Sequence, residues 1–187
     1  LTQALAKYFG EVVGVDIAPS MLEGARKYNR FGDKCQYVLN ERDDLRIFDS
    51  NHFDFIYSNM VLHHMQPAYC KAYLEEFLRV LSPNGLLIFY MPSEELKQWS
   101  PPPPPQHPPR SLLPGMKQLI KGVLPKQVLN AYIKYRYESQ PVMEKYCIKK
   151  AEIIAHLREN GGDVLDAHPD NVTIPNTEGF RYAVTKH

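Results

Sequence analysis

Residues 12–28 read VVGVDIAPSMLEGARKY, and the order of their parts decides the fold class. Val12, Val13, Gly14 and Val15 form a short apolar run that ends on Asp16, the pattern of a parallel strand covered on both faces. Pro19 stands where a first helical turn tolerates a missing N–H. Met21, Leu22, Ala25 and Tyr28 then make one apolar stripe, which predicts a helix closed by the polar turn 29–33. Upstream, Leu1, Ala4, Leu5, Tyr8 and Phe9 recur at helical spacing before Gly10, so residues 1–9 read as a short helix.

The same alternation continues downstream. Strands are predicted at 36–39, Phe53–Ser58 and 86–90, with a helix over 69–81 that turns Tyr73, Phe77 and Val80 inward and stops at Pro83-Asn84-Gly85. A helix over 148–159, with Ile153, Ile154 and Leu157 inward, is capped by Gly161-Gly162, and strands at 164–167 and 180–185 close the chain. Strands alternating with helices predict an α/β domain with a mostly parallel sheet and helices on both faces. Between 101 and 125 lie nine of the sixteen prolines, including the run Pro101 to Pro105, which fits neither helix interior nor central strand and reads as a stiff spacer. Two modest helical patterns come next, at 112–123 and 127–137. The whole is read as a single domain, residues 1–187, carrying a Pro-rich linker and helical cap insertion at about 99–146.

The chain has 187 residues, formal net charge +1, 44% hydrophobic and 23% charged residues, and a mean hydropathy of −0.39, values of an ordinary globular domain. No apolar run is long enough to span a membrane, and the near-neutral charge argues against a nucleic-acid binder, which leaves small molecules or proteins as partners. Cys35, Cys70 and Cys147 are odd in number and widely spaced, so neither a disulfide framework nor a zinc site is indicated, and a reduced cytoplasmic setting is expected.

Three places carry candidate chemistry. Asp16 ends an apolar strand, where an acid must meet water, a ligand or a local donor; both a ribose contact and a helix-capping role fit its position. The charged turn 39–45, LNERDDL, either reads the edge of a heteroaromatic base or lies solvated at the surface. The segment 58–65, SNMVLHHM, leaves the strongest strand and enters a loop; its adjacent histidines fall on different faces and do not form a paired metal site.

In their order, these segments resemble the class I S-adenosylmethionine-dependent methyltransferases. LTQALAKYFGEVVGVDIAPSMLEGARKY is similar to the part of that family downstream of its glycine-rich loop, VLNERDDLRIFDSNHFDFIYSNMVLHHM to its adenine-side loop, fourth strand and post-strand loop, and FLRVLSPNGLLIFYMP to its next helix, turn and strand. The terminal MEKYCIKKAEIIAHLRENGGDVLDAHPDN and GFRYAVTK resemble its last helix and antiparallel hairpin. The resemblance implies a Rossmann-like fold, S-adenosylmethionine as cofactor, no metal, and methyl transfer to a small-molecule acceptor. Asp16 is then the ribose acceptor, with Ile17 beside the adenine. Glu41 stands where the family usually shows an Asp for the adenine amino group, and Arg42 supplies the next backbone N–H. Ser58 and Asn59 face the methionine ammonium through the main chain, and His64 is the residue that orients or deprotonates the substrate. The family's first strand and glycine-rich loop have no counterpart, so the sequence reads as part of a longer methyltransferase that binds the cofactor poorly by itself. That strand is central in the family, and its absence is expected to leave the Val12 and Phe53 strands each unpaired on one side. A non-catalytic methyltransferase-like binding or regulatory protein, and more distantly a nicotinamide-dependent oxidoreductase, are the alternative readings.

Overall fold

The computed structural model describes residues 1–95, 144–171, 173–174 and 177–187. The elements run α1 (Thr2–Leu5), β1 (Val12–Asp16), α2 (Pro19–Lys27), β2 (Cys35–Leu39), β3 (Phe53–Ser58), α3 (Pro67–Val80), β4 (Leu81–Glu95), α4 (Lys150–Glu159), β5 (Gly162–Pro169) and β6 (Thr177–Lys186). The Pro-rich linker, the two helical patterns at 112–123 and 127–137 and nearly all of the cap insertion at about 99–146 lie outside the described residues.

Two sheets carry the fold. β1 and β2 pair in parallel, Val12 opposite Cys35 through Asp16 opposite Leu39. The second sheet has the order β3-β4-β6-β5, with β3 and β4 parallel and β6 antiparallel to both β4 and β5. This is the Rossmann-like arrangement with an antiparallel carboxy-terminal hairpin. Among the described residues β1 has β2 as its one ladder partner and β3 has β4, so no strand stands between them. The two halves meet instead through side chains and loops. Phe9 stacks on Phe55 with ring centroids 5.1 Å apart, and the segment after β2 is bonded to α3.

The core lies on the α3 and α4 face of the larger sheet. Leu74, Phe77, Leu78 and Val80 of α3 and Ile153 and Leu157 of α4 pack against Leu87, Phe89, Met91, Phe180, Tyr182 and Val184. Alternate residues of β4 and β6 point this way because successive side chains of a strand take opposite faces. Phe89 and Tyr182, opposite one another in the ladder, stack at 4.8 Å. The turn at Pro83-Asn84-Gly85 is taken up as a register shift: Phe53 faces Leu81 while Phe55 faces Leu86, and Asn84 adopts φ +62°. Gly85 is required there, since a β-carbon on it would lie 2.8 Å from the Ser82 carbonyl oxygen. At the end of α3, Lys186 Nζ donates to the Leu78 carbonyl at 2.9 Å and the Asn51 side chain at 2.6 Å, supplying a cation where the helix dipole favours one.

Several expectations are corrected. β1 is not buried on both faces: none of its residues is buried and Val15 is exposed, because one edge has no neighbouring strand among the described residues. The α2 stripe narrows to Leu22, with Met21 and Tyr28 exposed, since a nine-residue helix on a two-stranded sheet has little surface to cover. In the first helix Ala6 is the buried residue while Leu1 and Tyr8 face solvent; α-helix holds over Thr2–Leu5, and turns carry the chain on to Phe9. α3 begins two residues earlier than its apolar pattern because Pro67 opens it.

Candidate cofactor site and active site

The carboxyl ends of β1, β2 and β3 hold most of the residues singled out in the sequence. Asp16 is half-buried at the end of β1, and its Oδ1 accepts the Ala18 N–H at 2.9 Å. This bond closes a local turn ahead of α2, whose N-cap is Ala18 with no side-chain cap, and Asp16 Oδ2 has no donor among the described residues. The expected helix-capping role of Asp16 is not found, because the cap position falls on Ala18, two residues past it. Its main-chain carbonyl accepts the Asn40 N–H at 3.0 Å, which ties the β1 end to the β2 end. Ile17 comes next, 69% exposed.

Asn40, in the sequence merely part of a charged turn, organises that turn. It is buried, donates from Nδ2 to the Asp44 carbonyl at 2.7 Å and the Tyr73 hydroxyl at 3.2 Å, and accepts the Arg42 N–H on Oδ1 at 3.2 Å. Its signal in the sequence was an amide at a strand end, a residue able to satisfy three backbone or side-chain groups at once. The Arg42 amide is thereby engaged by Asn40, while Glu41 is exposed. Asp44 is turned to Arg42 and Arg46 at 3.1 and 3.4 Å. Burial pushes its carboxyl up, but hydrogen bonds from the Arg46 amide and the Arg42 side chain and the charges of both arginines outweigh this and hold it below the usual range. The acidic crowding around Glu41 is relieved in that way. Leu45 N–H donates to Glu76 of α3 at 2.7 Å, anchoring the far end of the turn.

Ser58 is buried at the end of β3. Asn59 comes next with its Oδ1 buried and without a partner, and Met60 takes the left-handed φ of +62° that swings the chain into a 3-10 turn over Leu62–His64. His64 is half-buried, with Nδ1 3.1 Å from the Glu144 carbonyl oxygen. Since a carbonyl only accepts, Nδ1 donates, which leaves Nε2 of the neutral ring as an acceptor. His63 lies beside it with the rings tilted and their centroids 3.9 Å apart, fully buried and with neither nitrogen partnered. Burial, then the charges of His64 and Lys145, pushes the His63 pKa down to about 4.

The structure therefore bonds Asp16 to the Asn40 turn and groups Ser58, Asn59 and His64 on one loop, with no hydrogen bond between the two groups among the described residues. Around them Val15, Ile17, Leu39, Met60 and Val61 are exposed apolar residues, all at carboxyl ends of parallel strands. The two best-formed hollows among the described residues lie elsewhere, one beside Arg26, Cys35 and Tyr37 and one beside Gln3, Tyr28 and Phe31. The described residues contain no cluster fit to hold a metal ion.

Parallel strands with an antiparallel terminal hairpin define a Rossmann-like domain, a class of open α/β sheet in which ligands generally bind at the carboxyl ends of the strands. Comparison with known proteins sharpens this. The family model for the methyltransferase domain matches residues 1–89. An uncharacterised methyltransferase of Synechocystis sp. is 34% identical over 85 residues, 46% of this chain and 38% of its own length, so this chain spans well under half of that relative. Among solved structures, the Synechocystis magnesium protoporphyrin IX methyltransferase with bound S-adenosylhomocysteine superposes with TM-score 0.59 at 15% identity, covering 100% of this chain and 68% of that one. The 1,6-didemethyltoxoflavin N1-methyltransferase of Burkholderia thailandensis does so with TM-score 0.55 at 14% identity, covering 94% and 61%. The likeness to the methyltransferase domain model thus covers residues 1–89, just under half of this chain, and the solved structures share its Rossmann-like fold.

Proposed function

We propose that this chain serves S-adenosylmethionine-dependent methyl transfer to a small-molecule acceptor, in the cytoplasm and without a metal. The observation that carries the reading is Asp16, placed at the carboxyl end of β1 with Oδ2 open beside the exposed Ile17. The two structural neighbours named above act on small heteroaromatic molecules according to their descriptions, which favours an acceptor of that size.

The residues present fit the cofactor. The open oxygen of Asp16 suits a ribose diol, Ile17 and Leu39 suit the face of an adenine, and Glu41, exposed on the adjoining turn, suits the adenine amino group. The Arg42 amide serves the base once it is shared with or released by Asn40. The main chain at Ser58 and Asn59 offers carbonyls to an ammonium. When bound, the cofactor supplies a methyl group on a sulfonium, already activated as a leaving group, so the protein's part is orientation and exclusion of water. His64 contributes its Nε2 lone pair: with Nδ1 held by the Glu144 carbonyl, the ring keeps one orientation and receives a proton on the free nitrogen if the acceptor must lose one.

The test is calorimetric titration of the complete protein with S-adenosylmethionine and S-adenosylhomocysteine, comparing the parent with Asp16→Ala. A loss of about 1–3 kcal/mol in binding is expected from removing hydrogen bonds to a charged acceptor; equal affinity in both proteins would overturn the assignment. A second reading, a non-catalytic binding protein on the same scaffold, is permitted by Glu41 standing where the resemblance expects an Asp. Turnover of any acceptor excludes it.

A further inference from the structure

Two side chains of α3 reach across to the turn 40–45 and hold its two ends. Tyr73 and Glu76 stand three residues apart, on one face of the helix. The Tyr73 hydroxyl accepts from Asn40 Nδ2 at 3.2 Å at the near end of the turn, and Glu76 accepts the Leu45 N–H at 2.7 Å at the far end. Between these anchors Glu41, Arg42 and Asp43 are exposed. Glu76 is itself held by Arg79, at 2.7 and 2.8 Å. Tyr73 is held by its ring, which meets Phe77 edge-on with centroids 5.5 Å apart and packs against the core.

Asn40 is the joint of this arrangement. Its backbone N–H donates to the Asp16 carbonyl at 3.0 Å, so the turn leaves β2 tied to the strand end that carries the open carboxylate. Its buried side chain has one orientation: Oδ1 faces the Arg42 N–H at 3.2 Å and Nδ2 the Asp44 carbonyl at 2.7 Å, and reversing the amide would set donor against donor and acceptor against acceptor. Those two bonds lie within the turn and move with it. The bond to Tyr73 is made to a packed helix, and it fixes the turn in space. Burial pushes the Tyr73 pKa up, outweighing the Asn40 hydrogen bond, and the Asp44, Glu76 and Asp43 charges act with burial, so the hydroxyl stays neutral.

We infer that Tyr73 is a positioning residue for recognition of the cofactor's base: acting through Asn40, it fixes where Glu41 and the Arg42 amide meet the adenine edge. The inference deepens the methyltransferase reading and rests on it for the identity of the ligand. An adenine edge presents an amino donor beside a ring-nitrogen acceptor, and hypoxanthine presents the reverse. A carboxylate next to a backbone N–H therefore selects between the two bases only while both groups stay in register. Glu41 is long and exposed, so its carboxylate selects only if the backbone beneath it is still. The Asn40 bond to the Arg42 amide, at 3.2 Å, is at the long end for such a contact, which leaves the amide able to be shared with a base.

The experiment is calorimetric titration of the complete protein with S-adenosylhomocysteine and with S-inosylhomocysteine, which carries an oxygen in place of the adenine amino group. The parent is expected to prefer the adenosyl compound. Tyr73→Phe keeps the ring against Phe77 and should weaken the adenosyl compound about fivefold while changing the inosyl compound by no more than about twofold, so that the preference shrinks. Tyr182→Phe, which removes an unpartnered hydroxyl from the core in β6, should leave the preference as it is. A loosened fold would weaken both ligands alike, and the melting temperature of each variant checks this independently. If Tyr73→Phe keeps the parent's preference, or weakens both ligands equally, the positioning role is overturned. Failure of the parent to bind S-adenosylhomocysteine removes the cofactor reading, whereas binding without preference between the two bases overturns the inference and leaves that reading standing.

Discussion

Replacing His63 by leucine is expected to change how stability responds to acid, by an amount set by the ring's surroundings. His63 is fully buried with neither nitrogen paired, and its pKa is held down at about 4 against an ordinary 6.5, first by burial and then by the nearby His64 and Lys145 charges. The native ring stays neutral while the unfolded chain takes up a proton as pH falls below 6.5, so the unfolded state binds more protons throughout this window. The contribution to stability is therefore complete above the unfolded pKa and is lost as pH falls through the folded one. Linkage between these two values gives a loss of about 2 kcal/mol from about pH 7.5 to about pH 5, approaching about 3 kcal/mol at still lower pH. Leucine has a similar volume and no proton, and it replaces an unpaired polar ring with an apolar group, so the variant should be at least as stable at neutral pH. Urea unfolding of both proteins at the two pH values measures the difference directly. The parent chain should lose about 2 kcal/mol more than His63→Leu; equal losses would show that the ring reaches water or a partner, and the argument from burial would fail.

Four further outcomes are expected. Asp16→Asn keeps the bond from the Ala18 amide through its amide oxygen but loses the charge, so in the complete protein the fold should hold while affinity for S-adenosylhomocysteine falls by about 1–2 kcal/mol, read by calorimetry. Ile17→Ser should leave thermal stability unchanged, because the side chain is exposed, yet weaken the same ligand by about 1 kcal/mol if the residue covers the adenine; an unchanged affinity removes Ile17 from the site. Gly179→Ala should lower stability by about 1–3 kcal/mol through collision with the Tyr90 ring, and Tyr90→Leu in the same chain should relieve most of that loss in a thermal melt. Glu76 accepts from Arg79 at 2.7 and 2.8 Å and from the Leu45 amide at 2.7 Å, and the Arg79 hydrogen bond outweighs burial in holding its carboxyl low. Glu76→Gln should therefore cost about 1–2 kcal/mol at neutral pH and progressively less as pH falls through the carboxylate range, since the parent loses the same advantage there.

The order of elements was legible because apolar runs of strand length, each succeeded by a helical stripe, recur from Val12 to Val80 and again at the carboxyl terminus. Strand burial was less legible: a run such as Val12–Val15 states what cover a strand can use, while its exposure depends on which strands lie beside it. Of the candidate site, Asp16 was visible as an acid closing an apolar run. That one of its oxygens accepts the Ala18 amide in a turn ahead of α2 is specified by no spacing rule. Asn40 was hidden among charges, and its importance appears once the Asp44 carbonyl, the Tyr73 hydroxyl and the Arg42 amide converge on it from positions up to 33 residues away. Tyr90 was read as one more apolar position of a buried strand, which its ring satisfies. That its hydroxyl is left unpaired reflects a neighbouring strand offering Gly179 and no polar side chain at that point.

Three deficits coincide in this molecule, and their coincidence is the strongest argument that the carboxyl edge is where it works. Among the described residues, β1 and β3 each have a strand partner on one side only; Val15, Ile17, Leu39, Met60 and Val61 expose apolar surface; and Asn59, His63 and Tyr90 bury polar atoms with nothing to pair them. Elsewhere some polar groups are met locally, as Lys186 meets the end of α3 and Arg79 meets Glu76, while the Tyr182 hydroxyl in the core is also unpartnered. Apolar exposure and buried polar orphans are opposite errors for an isolated fold, since one asks for less water and the other for more hydrogen-bonding partners. A ligand that is apolar and flat over part of its surface, and carries a few directed polar groups, corrects both at once. A nucleoside with a sulfonium tail has that composition. Each deficit removed by mutation should therefore raise the stability of the free chain while lowering its affinity, a trade that a merely imperfect core would not show.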